Sequence, residues 1–104
     1  MTESKIQNTD LDALLDAVLT LKTRGEAYQF FEDLCTGAEL QAMAQRFRLA
    51  GMLRHKVTHQ KIVEQTGSST ATVARVSRCL NHGAGGYALV MDRTEKVERT
   101  DGAE

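Results

Sequence analysis

The 104-residue chain contains no proline and no tryptophan, and aromatic residues make up only 5% of it. The absence of proline, beside many Ala, Leu, Glu, Gln, Arg and Lys residues, favours helices and argues against a turn-rich β-sandwich. Apolar residues make up 41% and charged residues 26%, as in ordinary globular proteins. We therefore predict one all-α domain over residues 1–93, followed by an almost wholly polar, disordered tail over residues 94–104.

Long apolar runs are also absent. No run of about 18 apolar residues occurs, so no segment is expected to span a membrane. The N-terminal sequence MTESKIQNTD lacks the apolar core of a secretory signal peptide, which predicts a cytoplasmic location. The two cysteines, Cys35 and Cys79, are 44 positions apart and are interpreted as reduced thiols of a cytosolic protein.

Motifs for catalysis and metal binding are missing as well. The chain has no G-x-S-x-G motif, phosphate-binding loop or dinucleotide fingerprint. Of its three histidines, His55 and His59 are spaced i, i+4, but a predicted helix break falls between them, which argues against a shared metal site. We therefore predict that the chain is not an enzyme and holds no metal or cofactor.

The charge is unevenly distributed along the chain, although the formal net charge is only −1. Residues 1–34 carry 3 basic and 7 acidic side chains, residues 35–82 carry 7 and 2, and residues 83–104 carry 3 and 5. Contacts to phosphate depend on the local density of basic residues rather than on the total charge. The middle segment, with a net charge of +5, therefore keeps nucleic acid open as a partner.

The N-terminal segment predicts a helix with one apolar stripe. Leucine and valine side chains recur at positions 11, 14, 15, 18 and 19, a spacing typical of one helix face. Asn8 or Thr9 can cap this helix, and Gly25 is predicted to end it.

A shorter segment and one further helix are predicted before residue 58. Residues 26–34 contain three of the five aromatic residues, which indicates a packing cluster. Thr36 and Glu39 have the spacing of a capping box, so a helix is predicted to begin there and to end near Arg54.

The stretch of about 58–81 has the pattern of a helix-turn-helix. Thr58 can cap a helix of about two turns, Gly67 can end it at positive φ, and Ser69 or Thr70 can cap a second helix. The inner stripe of that second helix is Val73, Val76 and Leu80. The residues predicted to lie opposite it are small or basic: Ala71, Thr72, Arg75 and Arg78.

Small residues at the start of such a helix let the backbone approach base edges in the major groove, and basic residues hold phosphates. The same helix start can also hold a phosphate on its amides. The predicted DNA-binding residues are Lys61, Ser68, Ser69, Thr70, Ala71, Thr72, Arg75, Arg78 and, at the end of the preceding helix, Arg54. Lys56 is a further candidate for a phosphate contact.

Two segments of the sequence resemble the Trp repressor superfamily, and more closely its YerC/YecD-like subfamily. These segments are LCTGAELQAMAQRF and KIVEQTGSSTATVARVSRCLNHGAGGY. The resemblance covers about 60 residues, from Leu34 to Arg93. It implies an all-α chain of mostly six helices that forms an intertwined homodimer through its N-terminal helices. Each subunit would then present one helix-turn-helix to a palindromic operator.

The resemblance also implies a place for a corepressor. The family's two ligand-binding arginines align with Arg48 and Arg75, and its small pocket residues align with Thr72, Val76 and Cys79. Where the tryptophan-binding member has glycine, this chain has Val76, whose branched side chain fills space that the ligand needs. Tryptophan is therefore not the expected ligand, and any corepressor would be another small molecule.

Two functions remain as hypotheses. The first is a sequence-specific DNA-binding transcriptional regulator, a repressor, that acts as a homodimer through its helix-turn-helix. The alternative is a protein-interaction module that keeps the repressor fold but has lost DNA recognition, in which the acidic flanks would pair with a basic partner.

Overall fold

The computed structural model describes the backbone of residues 8–102 and the side chains of residues 8–95. Six helices and no strand occur within that range, which confirms the all-α prediction. The helices are α1 (Thr9–Val18), α2 (Arg24–Leu34), α3 (Gly37–Arg54), α4 (His59–Thr66), α5 (Thr70–His82) and α6 (Gly86–Gly102). None of these described helices is long and apolar enough to cross a membrane.

The chain divides into two compact units, with the boundary between Ala42 and Met43, inside α3. The first unit contains α1, α2 and the start of α3, and α1 and α2 bury none of their residues. The second unit contains the rest of α3 with α4, α5 and α6. The predicted domain bounds of 1–93 stay a prediction.

The starts of α1 and α3 are capped as predicted. The side chain of Asn8 accepts a hydrogen bond from the backbone N–H of Leu11 at 2.8 Å, which caps α1. Before α3, the Thr36 hydroxyl accepts from the N–H of Glu39 at 3.1 Å, and the Glu39 carboxylate accepts from the N–H of Thr36 at 2.7 Å. These bonds satisfy N–H groups that have no partner inside a helix.

The predicted end of the first helix at Gly25 is wrong. α1 already ends at Val18, and Gly25 lies inside α2. A second cap starts α2: the Thr23 hydroxyl accepts from the N–H of Glu26 at 3.1 Å, while the Glu26 carboxylate accepts from the N–H of Lys22 at 2.9 Å. The Thr-x-x-Glu spacing therefore begins a new helix where the apolar pattern suggested a continuing one.

The predicted aromatic cluster of α2 forms in part. The rings of Phe30 and Phe31 meet edge to face, with centroids 5.5 Å apart and an interplanar angle of 72°. Tyr28 stays outside this pair, since it is 62% exposed.

The described core lies in the second unit. It consists of residues at most 4% exposed, contributed by each of the four helices: Leu49, Ala50, Ile62, Val73, Val76 and Met91. Partly buried Met52, Leu53, Val57, Val63 and Tyr87 pack against this set. The core fixes α4 and α5 against the C-terminal half of α3, so the helix-turn-helix stands on a packed support.

Residues 94–102 differ from the predicted disordered tail, because α6 continues through them to Gly102. No glycine or proline interrupts the sequence between Gly86 and Gly102, and its polar residues include good helix formers. The first half of the helix is anchored by buried Met91. The last two residues of the predicted tail lie outside the described residues.

Candidate nucleic-acid interface

The helix-turn-helix has the local caps that the sequence predicts. The Thr58 hydroxyl accepts from the N–H of Lys61 at 3.2 Å and begins α4. Gly67 ends α4 in the left-handed conformation, with φ of +75°. The Ser69 hydroxyl then accepts from the N–H of Thr72 at 3.1 Å and begins α5. A three-residue turn, 67–69, thus separates the two helices.

One side of α5 is buried and the other is open. Val73 is fully buried and Val76 is 2% exposed, so this side packs on the core. On the other side lie four exposed residues at spacings i, i+4, i+7 and i+11, here called the reading stripe: Ala71, Arg75, Arg78 and His82. Three of the four are predicted to lie there. His82 is an addition from the structure, although its position four residues after Arg78 signals the same face.

Thr72 does not belong to the reading stripe. It is half-buried at the edge of α5, whereas the sequence pattern predicts it opposite the core. Its hydroxyl accepts a hydrogen bond from the Ser69 hydroxyl at 2.9 Å. The polar side chains of Ser69 and Thr72 therefore hold the first turn of the helix together, while Thr70 and Ala71 are exposed there.

Ser68 is held by a residue that the sequence motifs do not single out. The side-chain amide of Gln45, on α3, donates a hydrogen bond from Nε2 to the Ser68 hydroxyl at 2.6 Å. Both residues are half-buried. Gln45 precedes buried Leu49 by four residues and so shares its face of α3. That spacing is the one sequence signal that could have indicated it.

Four of the predicted phosphate-binding cations differ in their surroundings. Lys61, Arg75 and Arg78 are exposed, with no ion pair among the described side chains. Arg54 instead pairs with Asp92 of α6 and also donates to the carbonyl oxygen of Ala88 at 3.3 Å. The hydrogen bond to Asp92 raises the pKa of Arg54 above its ordinary value, so this cation stays charged and is held against α6.

The residues aligned with the family's corepressor site lie in different surroundings. Arg48 lines a concave pocket of about 490 Å³ between α3 and α6. The other lining residues are Phe47, Gly51, Met52, His55, Val57, Met91, Thr94 and Glu95. Val76 belongs to the core, while Arg75 and Cys79 are exposed on α5. Their part in ligand binding stays a prediction.

Comparison with known proteins identifies the architecture. The family model described as Trp repressor protein matches residues 9–95. YerC of Bacillus subtilis (strain 168), an uncharacterized protein, is 46% identical over 98 residues, which are 94% of each chain.

Two solved structures are similar over most of the chain. A TrpR-like protein from Eubacterium eligens ATCC 27750 superposes with a TM-score of 0.82 at 46% identity, covering 88% of this chain and 94% of that one. A structure from Staphylococcus aureus gives a TM-score of 0.81 at 44% identity, covering 88% and 91%. The matched family is one of DNA-binding regulators rather than of enzymes. The chain therefore belongs to the Trp repressor family, as a YerC-like member.

Proposed function

We propose that the protein is a sequence-specific DNA-binding transcriptional repressor that acts as a homodimer through α4 and α5. The observation that carries this proposal is the reading stripe. Arg75 and Arg78 project from the open side of α5, beyond the small residues of its first turn, while its other side is fixed by the core. Nothing about the packing requires two arginines there, whereas phosphate contacts and base readout do.

In this mechanism, the first turn of α5 enters the major groove and places Thr70 and Ala71 nearest the base edges. Arg75, Arg78 and Lys61 hold phosphates, which sets the register of the helix on the duplex. Arg54 is proposed to hold α6 against α3 rather than to bind DNA, because its guanidinium group forms an ion pair with Asp92. Repression would follow from occupying the promoter.

Selection of bound duplexes from a random pool tests the proposal. An enriched palindrome is expected, with half-sites about 34 Å apart, one helical turn of DNA. With three cations assigned to phosphates in each protomer, the logarithm of the binding constant should fall with the logarithm of the salt concentration with a slope of about −5. A pool without enrichment, together with no salt dependence, would refute DNA binding and favour the protein-interaction module.

The homodimer is proposed because the N-terminal helices leave apolar side chains uncovered. Leu15 of α1 is 50% exposed, and Leu19, the residue that follows the helix, is 81% exposed; both belong to the apolar stripe of positions 11–19. A second copy of the chain would cover this stripe and supply the second helix-turn-helix that a palindromic operator needs.

Sedimentation or light scattering should therefore show a dimer. A Leu15→Glu, Leu19→Glu variant should be monomeric and lose operator affinity. Ala13→Glu is the matched control, since Ala13 is exposed on the opposite side of α1. A monomeric wild-type protein would contradict this part of the proposal.

We propose a cytoplasmic location, because a repressor works where the operator DNA lies. We propose no small-molecule corepressor. Repeating the selection with free amino acids tests whether a corepressor is needed. The same sequence should be enriched with and without them, whereas enrichment that depends on one amino acid would identify a ligand.

A further inference from the structure

We propose that Gln45 is a positioning residue, which sets the direction of α5 for base readout through its hydrogen bond to Ser68. This inference rests on the proposed DNA-binding function and deepens it. Gln45 itself lies on α3, outside the helix-turn-helix, and acts through the turn rather than on DNA.

The bond joins α3 to the helix-turn-helix of residues 58–82. Among the described residues, no other side-chain hydrogen bond connects these two parts of the second unit. The distance from Gln45 Nε2 to Ser68 Oγ is 2.6 Å, and both side chains are half-buried. Partial burial limits competition from water, so such a bond holds its geometry better than an exposed one.

Ser68 is also tied to the end of α4. Its backbone N–H donates to the Thr66 hydroxyl at 3.2 Å, and that hydroxyl donates to the carbonyl oxygen of Ile62 at 2.7 Å. A continuous path of hydrogen bonds therefore runs from α3 through the turn to buried Ile62. Ser69, the cap of α5, is the next residue along the chain.

The apolar core alone does not fix this end of α5. The first fully buried residue of the helix is Val73, which follows the N-cap by four residues. Apolar contacts are non-directional, so they allow a small tilt of the helix about Val73. Hydrogen bonds are directional and hold the turn in one place. Contacts to base edges need the same accuracy, since they form only over a narrow range of distances.

Three variants test the role on the full-length protein and the selected operator. Gln45→Ala and Ser68→Ala should each weaken operator binding about five- to tenfold, as expected for one hydrogen bond. The double variant should bind no more weakly than either single variant, because both remove the same bond. Affinity for random duplex DNA and the salt slope should stay unchanged, since no phosphate contact is lost.

Two control variants distinguish positioning from a general effect of shortening a side chain. Gln41→Ala removes the same side chain one turn earlier on α3, where it is exposed, and should bind the operator like the wild type. Ser68→Thr keeps the hydroxyl and should bind the operator like the wild type. If Gln45→Ala fails to fold, Ser68→Ala measures the same bond from the other side.

Wild-type operator affinity in Gln45→Ala would overturn the positioning role while DNA binding stands. Additive losses in the double variant would also overturn it, since they would show that Ser68 acts directly on DNA. Failure of the wild-type protein to select any sequence would refute the proposed function itself, and the positioning role with it.

Discussion

Replacing Gly67 with alanine measures how much stability is lost when a residue with a Cβ must adopt the left-handed conformation between α4 and α5. Gly67 has φ of +75°, in the region that residues with a Cβ rarely adopt. A Cβ built at this position has no heavy atom within 4 Å. Crowding by the rest of the chain therefore does not contribute, and any loss of stability comes from the local backbone.

The expected loss follows from two opposing terms. The left-handed conformation costs an L-residue roughly 1–2 kcal/mol. Alanine also restricts the unfolded chain more than glycine does, which offsets roughly 0.4–1 kcal/mol of that cost. Gly67→Ala should therefore lower the free energy of unfolding by about 1 kcal/mol, and Gly67→Asn by less, because asparagine adopts this conformation more readily.

Urea unfolding at one fixed protein concentration measures the loss, since the stability of an oligomer depends on concentration. Gly25→Ala is the matched control: Gly25 is helical, and the nearest atom to a Cβ there is Thr23 Oγ1 at 3.8 Å. This variant should gain about 0.5–1 kcal/mol, because alanine favours a helix. An unchanged midpoint for Gly67→Ala would refute the reasoning, and a loss for Gly25→Ala would show that Gly25 ends a helix after all.

Three further outcomes are expected. Arg75→Ala should reduce the salt slope of operator binding by about 2 for a dimer, one phosphate contact in each protomer, without changing the melting temperature. Thr72→Ala should lower the melting temperature slightly and weaken operator binding, because it removes the hydroxyl that accepts from Ser69 and holds the first turn of α5; an unchanged melting temperature would show that this bond does not stabilise the turn. Gly83→Ala should lower the melting temperature, because the new Cβ would overlap the carbonyl oxygen of Cys79, and overpacking of this kind costs about 1–3 kcal/mol; an unchanged melting temperature would contradict that geometry.

The helix-turn-helix was predictable because its boundaries depend on short-range chemistry. Thr58 and Ser69 cap residues three positions ahead of them, and Gly67 ends α4 by its own conformational freedom. Each signal is complete within a few residues of sequence. The same short-range chemistry accounts for the correct start of α3 at its capping box.

The errors arose where local signals competed or where the decisive partner is distant in sequence. The apolar pattern of α1 masked the capping pair Thr23 and Glu26, so the first helix was predicted to end at Gly25, although it ends at Val18 and the next helix begins at Arg24. The role of Gln45 depends on a residue 23 positions away. Periodicity places Gln45 on the buried face of α3, but it does not show that the turn before α5 supplies its partner.

The acidic C-terminal segment bears directly on the choice between the two functions. In the sequence its net charge of −2 could attract a basic protein partner. In the structure, Asp92 pairs with Arg54, and Glu95 Oε1 lies 3.1 Å from His55 Nε2, so both carboxylates face the end of α3. The pairing of Asp92 with Arg54 lowers the negative charge available to a basic protein partner and removes Arg54 from the free cations. The unpaired positive charge of α4 and α5 is then carried by Lys61 and the reading stripe, where a DNA duplex rather than a basic protein would meet it.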